Sequence, residues 1–118
     1  MSSILLVDDD DSLRRVLGFQ LEEAGYDVTA VSSAEAAVEK IGKEGRPFDL
    51  VLTDLAMAGM DGIELLRRVK GESPGTEVIV ITAFGTVESA VSAMKAGAFD
   101  YVTKPVSRDE LLLTVDKA

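Results

Sequence analysis

The chain predicts an open α/β fold, a five-stranded parallel sheet wound with helices on both faces, and three observations carry that prediction. Five short apolar, β-branched runs recur along 118 residues, and each is followed by a segment with apolar residues at helical spacing. The middle run, Phe48-Asp49-Leu50-Val51-Leu52-Thr53-Asp54, has an apolar centre without alternation, the pattern of a strand buried on both sides. Strict alternation of strand and helix then requires crossover connections and a parallel sheet covered on both faces.

In chain order, the first strand is Ser3–Val7, short and apolar, and four acids, Asp8 to Asp11, follow it directly. Leu13, Val16, Leu17, Gln20 and Leu21 then recur at helical spacing. Asp10 is placed to cap that helix, Asp11 lies in its favourable first turn, and Gly25 stands where a C-terminal glycine cap belongs. Asp27–Val31 is the second strand. Ser32 with Glu35 reads as a capping box opening a helix through about Glu44. After the Phe48–Asp54 strand, Asp61 and Glu64 repeat the capping pattern, with Ile63, Leu65, Leu66 and Val69 as the buried stripe. Ser73-Pro74-Gly75 is a turn, and Glu77–Thr82 the fourth strand. Thr86 opens a fourth helix with Val87, Ala90, Val91 and Met94 as its expected inner face, Ser89, Ser92 and Ala93 as its outer face, and Gly97 as its end. Phe99–Thr103 is the fifth strand, and Ser107 with Glu110 caps a last helix carrying Leu111, Leu112 and Val115. The chain stops within that helix without a glycine stop, so residues 1–118 are expected to be the amino-terminal piece of a longer protein.

Composition excludes several classes of function. At 47% hydrophobic residues the chain can bury a core without staples. It has no cysteine and no histidine, which removes disulfides, thiolate chemistry, imidazole catalysis and His-ligated zinc, and the chain cannot carry a phosphohistidine. Twelve Lys and Arg against 21 Asp and Glu leave a formal charge of −9, which repels phosphate backbones and anionic lipids. Direct binding to nucleic acid or membrane is therefore not expected. No apolar run approaches the ~18 residues needed to span a bilayer, and Met1-Ser2-Ser3-Ile4 is no signal peptide, so the cytoplasm is the expected location.

The polar residues at the strand exits carry the chemistry. The first strand leaves on Asp8 and Asp9, the third on Asp54, the fourth on Thr82 and the fifth on Lys104. Each alone has an ordinary role: helix-start acid, Asx cap, β-former, solvated loop lysine. In an open α/β sheet, however, the carboxyl ends of the strands share one edge, and ligands bind there at the switch point. With strand order 2-1-3-4-5, three carboxylates crowd one pocket and Thr82 and Lys104 flank it. Such a cluster is stable when protonated, hydrated or metal-bound. All-oxygen ligation selects a hard cation, and Mg²⁺, which takes few protein ligands, leaves room for phosphate. A hydroxyl and an ammonium opposite the metal suit the remaining phosphoryl oxygens. Asp54, alone between the acid pair and the Thr/Lys pair, is the best nucleophile.

These residues make the chain resemble a response-regulator receiver domain. The match lies in Val7-Asp8-Asp9, Thr53-Asp54-Leu55 with Met60-Asp61-Gly62, Ile81-Thr82-Ala83, and Ala96-Gly97-Ala98-Phe99-Asp100-Tyr101 with Lys104-Pro105, and it covers essentially the whole chain. The resemblance implies a flavodoxin-like (βα)5 fold in which Asp54 accepts phosphate from a sensor histidine kinase. It implies Mg²⁺, or Mn²⁺ in its place, held directly by Asp9 and Asp54, by Asp8 through water and by the Ala56 carbonyl. Thr82 and Tyr101 would be a switch pair, Lys104 the phosphate's counter-charge, and the Lys104-Pro105 bond cis. Partners implied are the kinase, an output domain in the same chain or a separate one, and a second copy docked through the fourth helix and fifth strand. The run Phe84-Gly85-Thr86-Val87-Glu88-Ser89-Ala90-Val91 is most similar to receivers of the nitrogen-regulation type, which usually precede a sigma-54-activating ATPase and a DNA-binding domain. Two positions depart from the family pattern: Ala58 replaces a usual proline, and Val106 a usual phenylalanine.

Other classes fit less well. An aspartate-nucleophile phosphatase of the haloacid dehalogenase type needs a second acid two residues on, where this chain has Ala56. A flavin binder needs a phosphate loop after the first strand, where four aspartates would repel it. A receiver that docks partners without phosphorylation would not need all five site residues, and all five are present. Ala56 and Phe84, which border the approach to the acceptor in the family, have no group to orient an attacking water, so slow self-dephosphorylation is expected.

Overall fold

The computed structural model describes residues 2–43, 48–55, 62–82 and 87–118. Within them run β1 (Ser3–Val7), α1 (Asp11–Glu23), β2 (Asp27–Val31), α2 (Ala34–Lys43), β3 (Leu50–Asp54), α3 (Gly62–Glu72), β4 (Glu77–Thr82), α4 (Val87–Lys95), β5 (Asp100–Thr103) and α5 (Arg108–Lys117). All five strands are parallel, in the order β2-β1-β3-β4-β5. The doubly wound fold and its strand order are those the sequence predicts.

β3 is buried at every position, as its unbroken apolar run requires of a central strand. The sheet separates two cores. Leu5, Val7, Val51, Val78 and Val80 face α2, α3 and α4 on one side, where Leu65, Leu66, Val69 and Ala93 pack. Ile4, Leu6, Leu52, Ile79 and Ile81 face α1 and α5 on the other, against Leu17, Leu21, Leu111 and Val115. Each fully buried Leu, Ile or Val contributes roughly 1.5–3 kcal/mol, so alternate strand residues serve both faces at once.

Local signals hold at four helix ends. The Asp10 carboxylate accepts the Leu13 N–H at 3.1 Å, and Ser107 Oγ the Glu110 N–H at 3.4 Å. Gly25 and Gly97 end their helices at φ of 99° and 108°, the left-handed region that a side chain disfavours. At α2 the cap differs from expectation. Ser33, not Ser32, accepts the Ala36 N–H, so Ala36 stands at the third helical position and the Ser32/Glu35 spacing is one residue early. Phe48 and Phe99 precede their strands rather than open them, although the Asp49 N–H, next to Phe48, donates to the Ser3 carbonyl and the Phe99 N–H itself donates to the Val78 carbonyl.

α4 is turned differently from its expected orientation. Ala90 and Ala93 are the buried pair, whereas Val91 and Met94, expected inside, are 46% and 43% exposed. A stripe of alanines lets the helix lie close to the sheet, and the rotation that achieves this moves Val91 and Met94 outward toward the edge strand β5. There they line a groove of about 350 Å³ with Ala90, Lys95 and Tyr101. Val16 of α1, also expected on the buried side, is exposed beside Phe19. The readings made for Glu44, Ala56, Met57 to Asp61, and Ala83 to Thr86 lie outside the described residues, as do the side chains of Val87 and Ser89.

Candidate functional site

Parallel register decides which strand-end residues meet. Val7 pairs with Thr53 and Asp54 with Ile81, so Asp8, one residue beyond β1, comes level with Asp54 at the end of β3. Thr82 pairs with Thr103, and the next residue, Lys104, donates its N–H to the Thr82 carbonyl at 2.8 Å. The Lys104-Pro105 bond that follows is cis. One carboxylate oxygen each from Asp8, Asp9 and Asp54 lie within 4.8 Å of one another. Lys104 Nζ donates to Asp54 Oδ2 at 2.7 Å. Asp8, Asp9, Asp54 and Lys104 are thus brought together, with buried Thr82 at the rim beside them.

Asp8 has no exposed surface, Asp54 almost none, and Asp9 faces solvent. The backbone turn after β1 holds Asp8 in place: its N–H donates to the Val31 carbonyl at 3.2 Å, and its Oδ1 accepts the Asp10 N–H at 2.9 Å. Asp8 Oδ2 is buried and has no hydrogen-bond partner among the described residues. Burial pushes the Asp8 carboxyl above its ordinary pKa, and the charges of Asp54 and Asp9 push the same way, against the Asp10 N–H and Lys104. For Lys104, burial disfavours the ammonium, but the hydrogen bond and charge of Asp54, with Asp8 and Asp10 behind them, outweigh it. Lys104 therefore holds its proton more tightly than an ordinary lysine. A buried oxygen without a partner, in a set of three carboxylates and no soft donor, fits a hard divalent cation.

Tyr101 stands apart from this cluster. It pairs with Val80, two residues before Thr82 on β4, and its ring is exposed in the groove beside Val91 and Met94. Ala56, expected to offer a carbonyl, lies outside the described residues.

Two residues that sequence reasoning gave no physical role support the site. Arg14 donates from Nη1 to the Asp8 carbonyl at 2.8 Å and from Nη2 to Asp11 Oδ1 at 2.5 Å. The only sequence cue was a cation three residues after an acidic run. Gly62, at the start of α3, approaches β3 so closely that a Cβ there would lie 2.5 Å from the Asp54 carbonyl oxygen and 2.7 Å from Leu55 Cα.

Comparison with known proteins agrees with this geometry. The family model described as "Response regulator receiver domain" matches residues 4–116. Over 115 residues the chain is 44% identical to the transcriptional regulatory protein ZraR of Escherichia coli strain K12, covering 98% of this chain and 26% of that protein. It is 38% identical to the transcriptional regulatory protein FixJ of Bradyrhizobium diazoefficiens, covering 98% of this chain and 55% of that one. The chain thus spans only part of these relatives' length. Among solved structures, a response regulator receiver domain protein from Clostridium thermocellum superposes with a TM-score of 0.93 at 32% identity, over 99% of this chain and 93% of that one. NtrX from Brucella abortus, solved with ADP, superposes with a TM-score of 0.92 at 32% identity, over 99% of this chain and 27% of that one. NtrX agrees with the nitrogen-regulation likeness of the residues around α4. No helix among the described residues is long and apolar enough to cross a membrane. With its parallel sheet, its strand-end acid cluster and its lysine paired to Asp54, the chain belongs to the response regulator receiver domain family.

Proposed function

We propose that this chain is a phosphorylation-driven signalling switch with Asp54 as its phosphoacceptor. The observation that carries the reading is the surroundings of the Asp54 carboxylate, with acids on one side and the Lys104 ammonium at 2.7 Å on the other. An Asp54 oxygen attacks the phosphorus of a phosphohistidine on a sensor histidine kinase. A P–O bond forms, the P–N bond breaks, and the imidazole nitrogen keeps the electron pair and takes up a proton. Lys104 balances the Asp54 charge before transfer and the phosphoryl oxygens after it. Magnesium, or manganese in its place, would be held by Asp9 and Asp54, by Asp8 through water and by the Ala56 carbonyl. When bound it supplies positive charge to the phosphoryl oxygens. The chain acts as a regulatory acceptor that promotes its own phosphorylation and slow dephosphorylation.

The phosphoryl group adds about −1.5 to −2 charges and three acceptor oxygens. Thr82 turns its hydroxyl toward them, and Tyr101 leaves the groove for the space that Thr82 vacates. α4, buried through alanines at Ala90 and Ala93, is lightly anchored and shifts with them. The altered α4–β5 face then docks a second copy or an output domain. Residues 1–118 are the receiver part of a longer regulator, and the relatives' names and the NtrX likeness support transcription as its output, of the sigma-54 type. The net charge of −9 leaves contact with DNA to another domain, and the kinase partner places the protein in the cytoplasm.

Acetyl phosphate and Mg²⁺ test the reading: acetate leaves as Asp54 takes the phosphoryl group, and intact mass rises by one phosphoryl unit. Asp54→Asn abolishes the gain. Full labelling of that variant at another carboxylate would overturn the assignment.

A further inference from the structure

Asp8 is held at three points and free at one. Its N–H donates to the Val31 carbonyl at 3.2 Å, its Oδ1 accepts the Asp10 N–H at 2.9 Å, and its carbonyl accepts Arg14 Nη1 at 2.8 Å. Only Oδ2 is without a partner among the described residues. The first two holds use backbone groups that most residues would supply. The third depends on one side chain, one turn into α1.

Arg14 makes a forked contact, with Nη2 on Asp11 Oδ1 at 2.5 Å. The Asp11 half of the fork is solvent-exposed, its side chain at 80%, and such pairs contribute little to stability. The Asp8 half is part-buried and ends on the peptide that sets where the Asp8 carboxylate points. A planar guanidinium holds both acceptors in one fixed fork from two separate nitrogens, a geometry that the single nitrogen of a lysine ammonium does not reproduce.

We infer that Arg14 is a positioning residue for the cation site: by fixing the Asp8 peptide across the β1–α1 turn, it fixes the direction of the free Asp8 oxygen. The inference rests on the reading of Asp8, Asp9 and Asp54 as a cation site. It has a signature that a purely electrostatic role lacks. Arg14 is a cation beside a site for another cation, so as a charge alone it weakens Mg²⁺ binding, and its removal would tighten it. As a positioning group it strengthens binding, and its removal loosens it. The two roles predict opposite signs.

Mg²⁺ affinity is measured by calorimetry on the unphosphorylated chain, at a temperature where circular dichroism shows each variant folded. Arg14→Met is expected to bind Mg²⁺ roughly tenfold more weakly, the scale of losing a group that orients a metal ligand. Arg14→Lys, which keeps the charge and loses the fork, also binds more weakly, and Arg15→Met binds no more weakly than wild type. In the metal-free protein, the backbone amide resonances of Asp9 and Asp10 shift in Arg14→Lys and stay in place in Arg15→Met. If Arg14→Met folds too poorly to titrate, Arg14→Lys and its amide shifts decide. Mg²⁺ binding by Arg14→Met or Arg14→Lys as tight as wild type, or tighter, overturns the inference. Asp9→Asn separates the two levels. If it binds Mg²⁺ as tightly as wild type, the cation reading falls and this inference with it; if it loses Mg²⁺ while Arg14→Met keeps it, this inference falls alone.

Discussion

Gly62 lies against the backbone of Asp54, with room for hydrogen and no more: a Cβ would come within 2.5 Å of the Asp54 carbonyl oxygen. The Gly62 N–H also donates to the Leu55 carbonyl at 3.1 Å, so the start of α3 and the exit of β3 are fastened by contact and hydrogen bond together. Gly62→Ala is expected to destabilise the fold by about 1–3 kcal/mol, the usual scale of overpacking against groups that cannot yield. Because the displaced group is the Asp54 backbone, phosphorylation by acetyl phosphate should slow even where the variant is fully folded. Gly42→Ala, in α2 with open space around it, is the control: it should leave the phosphorylation rate unchanged and, if anything, raise stability by up to about 1 kcal/mol, as alanine for glycine does in a helix. Wild-type stability and rate in Gly62→Ala would show that the contact relaxes without cost.

Asp8 makes metal-free stability depend on pH. Its folded pKa is raised, first by burial and then by the charge of Asp54, so the folded state holds a proton that the unfolded chain has released. Stability therefore falls as pH rises from the ordinary carboxylate value through the folded one, and the cost is fully present above both. Asp8→Asn, which keeps an oxygen for the Asp10 N–H, should melt no lower than wild type at neutral pH without divalent cation. Wild type should gain melting temperature in millimolar Mg²⁺, and Asp8→Asn should lose most of that gain. Melting curves at pH 4 and pH 7, with and without Mg²⁺, check both; a wild-type curve indifferent to Mg²⁺ counts against the site.

At alkaline pH a second group takes over. Tyr26 donates its hydroxyl to Asp116 of α5, and burial together with that carboxylate pushes the phenol up to about 12. The raised pKa favours the neutral phenol in the folded state, so stability falls as pH rises from about 10 through about 12. Tyr26→Phe should be somewhat less stable at pH 8, where the hydrogen bond is lost, and should have a flatter stability profile above pH 10. Denaturant melts at the two pH values measure the difference, and ultraviolet titration of wild type should show a tyrosine that ionises near pH 12.

Val91, Met94 and Tyr101 form an exposed apolar strip at the edge of the sheet. Met94→Glu and Val91→Lys should abolish phosphorylation-dependent self-association, followed by sedimentation, while leaving phosphorylation at Asp54 unchanged. Hydrogen exchange should change around α4 and β5 on phosphorylation. Changes confined to α1 and α2 would refute a switch through this face.

The phosphoryl group should persist for many minutes or longer in Mg²⁺, because neither Ala56 nor Phe84 has a group able to orient an attacking water. Ala56→Asn and a polar replacement of Phe84 should each shorten the lifetime, and the double variant most. Decay of the wild-type phosphoprotein within seconds, with no phosphatase present, would overturn this.

What the chain states locally, it states clearly. The β-branched runs, the aspartate and serine caps at Asp10 and Ser107, and the glycines at positive φ, Gly25 and Gly97, each depend on a few neighbouring residues, and the structure agrees with them. The strand-end residues were legible for the same reason. A parallel sheet brings carboxyl ends to one edge, so Asp8, Asp9, Asp54, Thr82 and Lys104 could be placed together before any distance was known. The orientation of α4 was not legible. Apolarity picks Val91 and Met94, but one residue of helix rotation is 100°, and alanines carry too weak a hydrophobic signal to compete on paper. Against the sheet they win, because small side chains allow close approach, and Val91 and Met94 are left facing the edge strand. Arg14 and Gly62 were illegible for a related reason. A guanidinium that reaches a carbonyl six residues back, and a hydrogen that fits where a methyl would not, follow from where folded segments come to rest. The elements, their order and the residues available for chemistry follow from the chain alone; which helix face turns inward and what holds Asp8 and Asp54 in place depend on close contacts that exist only once the folded elements pack together.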